Sequence, residues 1–244
     1  MPHYELQFAG SFIHGNVIYK TIREFRIHFN FTNPPMKKLL LLINILGVLT
    51  AASPAFAGGA PMPDGGPARM IFDAVDKCLA ILKNPALQTP AIMPQRRQRL
   101  WELIEPVFAY EEIDKRVLNR YWTDLTLRQQ TEFTTGFTEF MKSSYLDKTD
   151  DYNGENLEYM NELVEGDRAK VQANFITADG RKFPVGLSLT RENGSWKIYD
   201  AEVFGISVAG IYRVQFYDIL ERLTFEDLMQ KIRGKTAAFA EAKI

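Results

Sequence analysis

The chain has 244 residues, 46% of them hydrophobic and 24% charged, with 30 acidic against 29 basic side chains and a net charge of −1. That balance leaves no basic surplus to hold nucleic acid or an anionic lipid surface. The three histidines, His3, His14 and His28, all precede residue 36, and Cys78 is the single cysteine. The remainder of the chain therefore lacks the commonest general base and metal ligand, and it has no internal disulfide.

Met36-Lys37-Lys38 is followed by an apolar run from Leu39 to Ala52 and then by Ala55-Phe56-Ala57. A charged start, a short apolar stretch and an A-x-A site are the parts of a secretory signal peptide. The run is too short to span a bilayer, which takes about 20 apolar residues. Residues 36–57 are therefore expected to be a signal peptide, with residues 1–35 an over-extended start upstream of it. Residues 58–69, rich in Gly and Pro, are expected to be a flexible leader.

Beyond the leader, Met70, Ile71, Ala74, Val75, Cys78, Ile81 and Leu82 recur at helical spacing, and Asn84-Pro85 stops that helix. Cys78 sits on its apolar side, as a buried small hydrophobe would. A second helix is expected over Gln95–Glu105 and a third over Glu111–Trp122. The fourth opens on Thr126 and Gln129, spaced as a capping box. It carries Phe133, Phe137, Phe140, Met141 and Tyr145 on one broad aromatic face.

From Asn156 the apolar period changes from helical to two. Leu157, Tyr159 and Leu163 alternate, then Ala169 to Phe175, Phe183 to Leu189, and Trp196 with Ile198. Gly166-Asp167, Asp179-Gly180 and Asn193-Gly194 separate the runs, and such pairs supply the positive φ that tight hairpins need. A long helix over Ser207–Leu223 follows. A short last helix runs from Thr224 to Arg233 and stops at Gly234, leaving residues 235–244 as a tail. The expected fold is α+β: a four-stranded antiparallel meander whose apolar face is covered by the N-terminal helices and a C-terminal helix. Residues 70–234 form that domain.

No Gly-rich phosphate loop, G-x-S-x-G elbow or metal-spaced cluster occurs, so neither a cofactor nor a metal nor a catalytic group is expected. Asp200, on the strand with Trp196 and Ile198, is the best single carboxylate for acid–base work. Its competing reading is a turn or edge hydrogen bond.

Several segments carry a more specific pattern. An aromatic lead-in at Phe108 and Tyr110 runs into a helix ending Leu118-Asn119-Arg120-Tyr121-Trp122, and Thr126 then opens a helix of spaced Phe residues. A Gly166-Asp167 turn follows, then Trp196-Lys197-Ile198-Tyr199-Asp200. The pattern closes with Phe204-Gly205-Ile206-Ser207-Val208 and Tyr212-Arg213, ending at Phe216. Over about residues 70–234 the chain resembles the MlaC, or toluene-tolerance auxiliary, family of periplasmic phospholipid carriers. Three positions depart from that family's pattern: Phe204 stands for the usual Glu, Asn119 for Gly, and Ala209-Gly210 for a frequent Asn-Asn pair.

The resemblance implies a periplasmic lipid carrier, not an enzyme. Its acyl tails would be enclosed between sheet and helices. Its partners would be an outer-membrane lipoprotein–porin complex and an inner-membrane lipid ABC transporter, so that the chain acts as the substrate-binding component of a system maintaining outer-membrane lipid asymmetry. Each buried methylene contributes about 0.8 kcal/mol, so an apolar cavity alone supplies the binding energy. The lining expected on this reading is Leu118, Trp122, Phe133, Phe137, Met141 and Tyr145 from the helices and Phe183, Val185 and Leu187 from the sheet. The final helix adds Val208, Tyr212 and Phe216, with Arg213 as the charged group at the mouth. Two other readings stay open: a small periplasmic α+β enzyme with a short pocket, and a family member carrying a hopanoid or another hydrophobe.

Overall fold

A computed structural model describes residues 61–241. The expected signal peptide, the residues before it and the start of the leader lie outside this range. The order of elements is α1 (Gly66–Leu82), α2 (Met93–Ile104), α3 (Tyr110–Leu118) and α4 (Leu127–Leu146). Then come β1 (Asn156–Glu165), β2 (Arg168–Ile176), β3 (Lys182–Glu192), β4 (Ser195–Val203), β5 (Ile206–Ser207), α5 (Val208–Leu220) and α6 (Phe225–Glu241).

The strands form one antiparallel sheet in sequence order, and it has five strands rather than four. The fifth is a two-residue piece, Ile206 and Ser207 opposite Val203 and Glu202. It pairs because Phe204 and Gly205 both take positive φ, 53° and 76°, making a tight reversal where only a chain continuation into α5 was expected. The Asn193-Gly194 turn has the same two positive angles, 50° and 81°, as its composition predicts. Register places Phe175 opposite Phe183, Ala173 opposite Val185, Val171 opposite Leu187 and Ala169 opposite Leu189. One face of the meander is therefore continuously apolar.

A bulge between Tyr159 and Asn161 breaks that pattern on β1. An extra residue moves every later side chain to the opposite face. Leu163, expected on the apolar face, is consequently 60% exposed. Glu162 turns the other way, and its Oε2 accepts the backbone N–H of Ala68 at 2.9 Å. That N–H is one of the four at the start of a helix without an internal acceptor. The bulge thus pins the N-terminus of α1 to β1.

This tie accounts for where α1 begins. The helix starts at Gly66, four residues before Met70, with Pro67 in its first turn, where the missing N–H costs nothing. From there α1 crosses the apolar sheet face. Ala68, Ile71 and Phe72 pack with Val171, Ala173, Leu189, Trp196 and Ile198, and Phe72 meets Tyr159 edge-to-face at 6.0 Å. The segment leading into α3 adds to the sheet's flank, where the Ala109 N–H donates to the Ile198 carbonyl at 2.8 Å.

The remaining helices build a second core. Capping is reciprocal at α4, where Gln129 N–H donates to Thr126 Oγ1 and Thr126 N–H to Gln129 Oε1. Thr224 and Asp227 repeat the device at α6. That last helix does not stop at Gly234 but runs on to Glu241. A mid-helix Gly costs about 1 kcal/mol relative to Ala but does not forbid the turn. A different glycine, Gly136, lets α4 approach α6: a Cβ there would lie 2.7 Å from the Met229 methyl.

The third helix ends at Leu118, short of the expected Trp122, and Asn119–Asp124 continue as a 3-10 turn. Asn119 has φ 45° and ψ −112°, a conformation that a side chain disfavours and glycine tolerates. It is exposed, so its side chain packs little in compensation. Asn119→Gly is expected to raise the unfolding free energy by about 1 kcal/mol, read as a higher urea midpoint at unchanged slope, and Asn119→Ala to give no such gain.

Candidate functional site

A cavity of about 360 Å³ lies between α1 and the sheet. Met70, Ile71, Ala74, Val75, Cys78, Leu79 and Leu82 form one wall along α1. Phe175, Leu187, Ile198 and Leu157 form the opposite wall, and Ile104, Val107 and Phe108 close the side. Tyr152, Glu155 and Asn156, just before and at the start of β1, are its polar margin. Asn156 is exposed, so the margin meets solvent. Along the helix the lining repeats every three or four residues, the spacing that keeps one helical face toward the sheet.

Of the residues that the sequence pattern assigns to a lining, Leu187 is the one found there. Val185 packs beside it, partly buried, against the α1–sheet core. Phe183 lies half-buried at the sheet end, its ring 5.7 Å from that of Phe204. The helical candidates go elsewhere. Phe133 and Phe137 are stacked at 5.4 Å, and Phe137 meets Tyr212 at 5.2 Å and Phe216 at 5.5 Å, both edge-to-face. Trp122 closes on Phe133 at 6.5 Å, and Leu118 is fully buried at the end of α3. These rings pack on one another in a core among the helices, and none of them lines the cavity.

At the edge of that core Met141 and Val208 are half-buried. Tyr145 is exposed, with its hydroxyl 3.3 Å from that of Tyr212. Arg213 projects from the solvent side of α5. A broad aromatic stripe satisfies itself by packing on other aromatic rings. The apolar stripe of α1, built from smaller side chains, faces the sheet across a space it does not fill. That stripe was visible in the sequence, but the polar margin at Tyr152, Glu155 and Asn156 carried no signal, because it lies in a loop and a strand end.

Asp200 serves the fold. Its Oδ2 accepts from Ser207 Oγ at 2.5 Å and its Oδ1 from the Ala209 N–H at 3.0 Å. Ser207 Oγ in turn accepts from the Gly210 N–H at 2.8 Å, so the pair caps α5. Gly210 sits close over this cap, where a Cβ would come within 3.2 Å of the Ser207 hydroxyl. The turn-and-edge reading of Asp200 is the one realised.

The titratable group that periodicity did not single out is Asp114. It is 2% exposed on α3, with Thr134 Oγ1 2.5 Å from Oδ2. Burial pushes its carboxyl from the usual 3.8 up to about 7, with Glu111 adding to the rise and the Thr134 hydrogen bond opposing it. The hydroxyl of Thr134 also lies 3.0 Å from the Gln130 carbonyl. Both contacts are satisfied at once when Asp114 is neutral, because the acid proton is donated to Thr134 Oγ1 and the Thr134 hydroxyl proton to the Gln130 carbonyl. Asp114 is not among the cavity-lining residues. Among the described residues no group of three or more His, Cys, Asp or Glu side chains is placed to hold a metal.

A carboxyl whose pKa rises on folding stabilises the fold below its unfolded value, and that stability is lost as pH rises through the folded one. The contribution of Asp114 is thus complete below about pH 4 and gone above about pH 7. The full span is on the order of 4 kcal/mol. In urea titrations across this window, Asp114→Asn is expected to flatten the loss. An unchanged pH profile would show that Asp114 ionises normally.

The family model for the MlaC protein matches residues 73–234. The toluene tolerance protein ttg2D of Pseudomonas putida is 27% identical over 143 residues, which cover 58% of this chain and 66% of that protein, just under two thirds of its length. The fold is shared with the phospholipid-binding protein of Ralstonia solanacearum, solved with a phospholipid bound. That comparison has a TM-score of 0.62 at 21% identity and covers 70% of this chain and 97% of the other. Because the family model spans well over half of the chain and takes in most of α1, the sheet and the helical core together, this protein belongs to the MlaC family.

Proposed function

We propose that the protein is a periplasmic phospholipid carrier and that the cavity between α1 and the sheet receives the acyl chain. The observation that carries this reading is the apolar cavity itself, lined almost wholly by aliphatic and aromatic carbon with polar groups confined to one margin. The phospholipid bound by the Ralstonia protein of the same fold supports it. At about 360 Å³ the space is at the small end of ligand pockets. With water taking about 30 Å³, it holds on the order of a dozen methylene-sized groups, less than one full tail. Taking in a whole phospholipid therefore requires α1 to lift from the sheet.

Binding energy and release follow from the same term. A tail of about 15 methylenes gains roughly 12 kcal/mol on leaving water, so unassisted escape is slow. Transfer to an inner-membrane lipid ABC transporter, or exchange with an outer-membrane lipoprotein–porin complex, would proceed by a partner holding α1 away from the sheet. Among the described residues no helix is long and apolar enough to cross a membrane.

The protein recovered from a Gram-negative periplasm after expression of the full chain is expected to carry phospholipid, detected by native mass spectrometry and organic extraction. Leu187→Asp and Ala74→Trp, which charge or fill the cavity, should abolish retention without unfolding. Phe137→Leu, in the aromatic core, should cost about 1–3 kcal/mol of stability and keep the lipid. Retention by both cavity variants would move the site to the aromatic face, and a lipid-free wild type would remove the carrier reading.

A further inference from the structure

We propose that the Tyr152 hydroxyl is the polar anchor of the cavity. It donates a hydrogen bond to an ester carbonyl of the bound lipid and so selects ester-linked over ether-linked chains. The proposal rests on the carrier reading and deepens it.

Tyr152 follows the 3-10 turn Asp147–Asp151 and precedes β1. Its ring packs with Leu82, Leu100, Trp101 and Leu146, while the residue lines the cavity at its polar margin. The hydroxyl oxygen is buried and has no hydrogen-bond partner among the described residues. A buried tyrosine hydroxyl ordinarily finds a partner, and one left without it costs about 1–3 kcal/mol. With α1 seated the oxygen has no contact with solvent or the open cavity, and Leu82 of α1 belongs to the cluster that covers the ring, so the donor comes free for a group of the ligand when α1 lifts.

The two neighbouring polar side chains have local engagements. Glu155 Oε2 accepts the Asn153 N–H at 2.8 Å, and Asn156 Oδ1 accepts the Leu157 N–H at 2.8 Å. Burial and the Glu155 charge both hold the Tyr152 phenol protonated, so it acts as a donor. The same Glu155 charge disfavours an anionic acceptor at this point, whether a phosphate or a free carboxylate. A neutral acceptor at the boundary between tail and head group is what remains, and in a glycerolipid that group is the ester carbonyl. An ether linkage has no carbonyl and offers only a weaker acceptor.

The test loads the full chain, secreted and stripped of co-purified lipid, from vesicles of equal parts diester and diether phosphatidylcholine of matched chain length. Native mass spectrometry counts each complex. Wild type is expected to favour the diester by about tenfold, the worth of one good hydrogen bond, and Tyr152→Phe to bring the ratio near one. Tyr110→Phe removes another buried, unpartnered phenol of the same cluster that does not line the cavity, and it should keep the preference. A carbonyl-labelled diester gives a second readout, since its ester stretch should fall to lower frequency in wild type than in Tyr152→Phe. Equal uptake by wild type, or a preference that survives Tyr152→Phe, overturns the anchor alone. Uptake of neither lipid overturns the carrier reading and the anchor with it.

Discussion

One face of the antiparallel sheet is apolar across β2 and β3, and it must be kept from water. A single helix, α1, is laid across it. Where the small side chain of Ala68 meets Val171 and Leu189, helix and sheet close into a dry core. Farther along, the same helix faces Phe175, Leu187 and Leu157 across a gap that neither side fills. The cavity is the part of this interface that packing leaves open, and its walls are as apolar as the core because they continue it.

The position of α1 depends on a defect in the ladder. Without the bulge near Met160, Glu162 would face solvent and Leu163 the core. With it, a carboxylate arrives beneath the free N–H groups of the helix start and accepts one of them. Negative charge is favourable at a helix N-terminus, so the tie is both a hydrogen bond and a dipole contact. It holds the Ala68 end of the helix, and the cavity lies toward the other end. Its other end is held by Leu82 against Leu100, Trp101 and Leu146, so the helix spans the unfilled stretch of sheet between two points of attachment.

The aromatic core does the opposite work. Phe133, Phe137, Tyr212 and Phe216 meet at ring separations of 5.2–5.9 Å, the range in which edge-to-face and offset pairs add to area burial. This block, with α6 closed over it through Leu228, Met229 and Ile232, is a rigid support. Asn119 takes the positive φ that ends α3, Phe204 takes the first corner of the β4–β5 reversal, and Gly210 lies close against the Ser207 cap. Tyr152 stands at the polar margin of the cavity.

The elements were legible in the sequence because each is specified locally. The apolar period changes from helical to two at Asn156, Asn193-Gly194 carries its own turn, and Thr126 with Gln129 caps α4 without help from elsewhere. The family was legible for the same reason, in motifs that are contiguous. Location of the cavity was not, since an aromatic stripe and an aliphatic stripe both read as buried faces, and periodicity says nothing about what each meets. Rings found rings, while the aliphatic face of α1 met the sheet and left a space. Asp114 and Tyr152 were silent because burial of one polar atom depends on neighbours distant in the chain. By itself the sequence determined which residues turn inward, through a pattern set by bond geometry. Which inward faces touch, and where they fail to, only the tertiary structure decided, because complementarity of shape belongs to pairs of surfaces and not to either strand or helix alone.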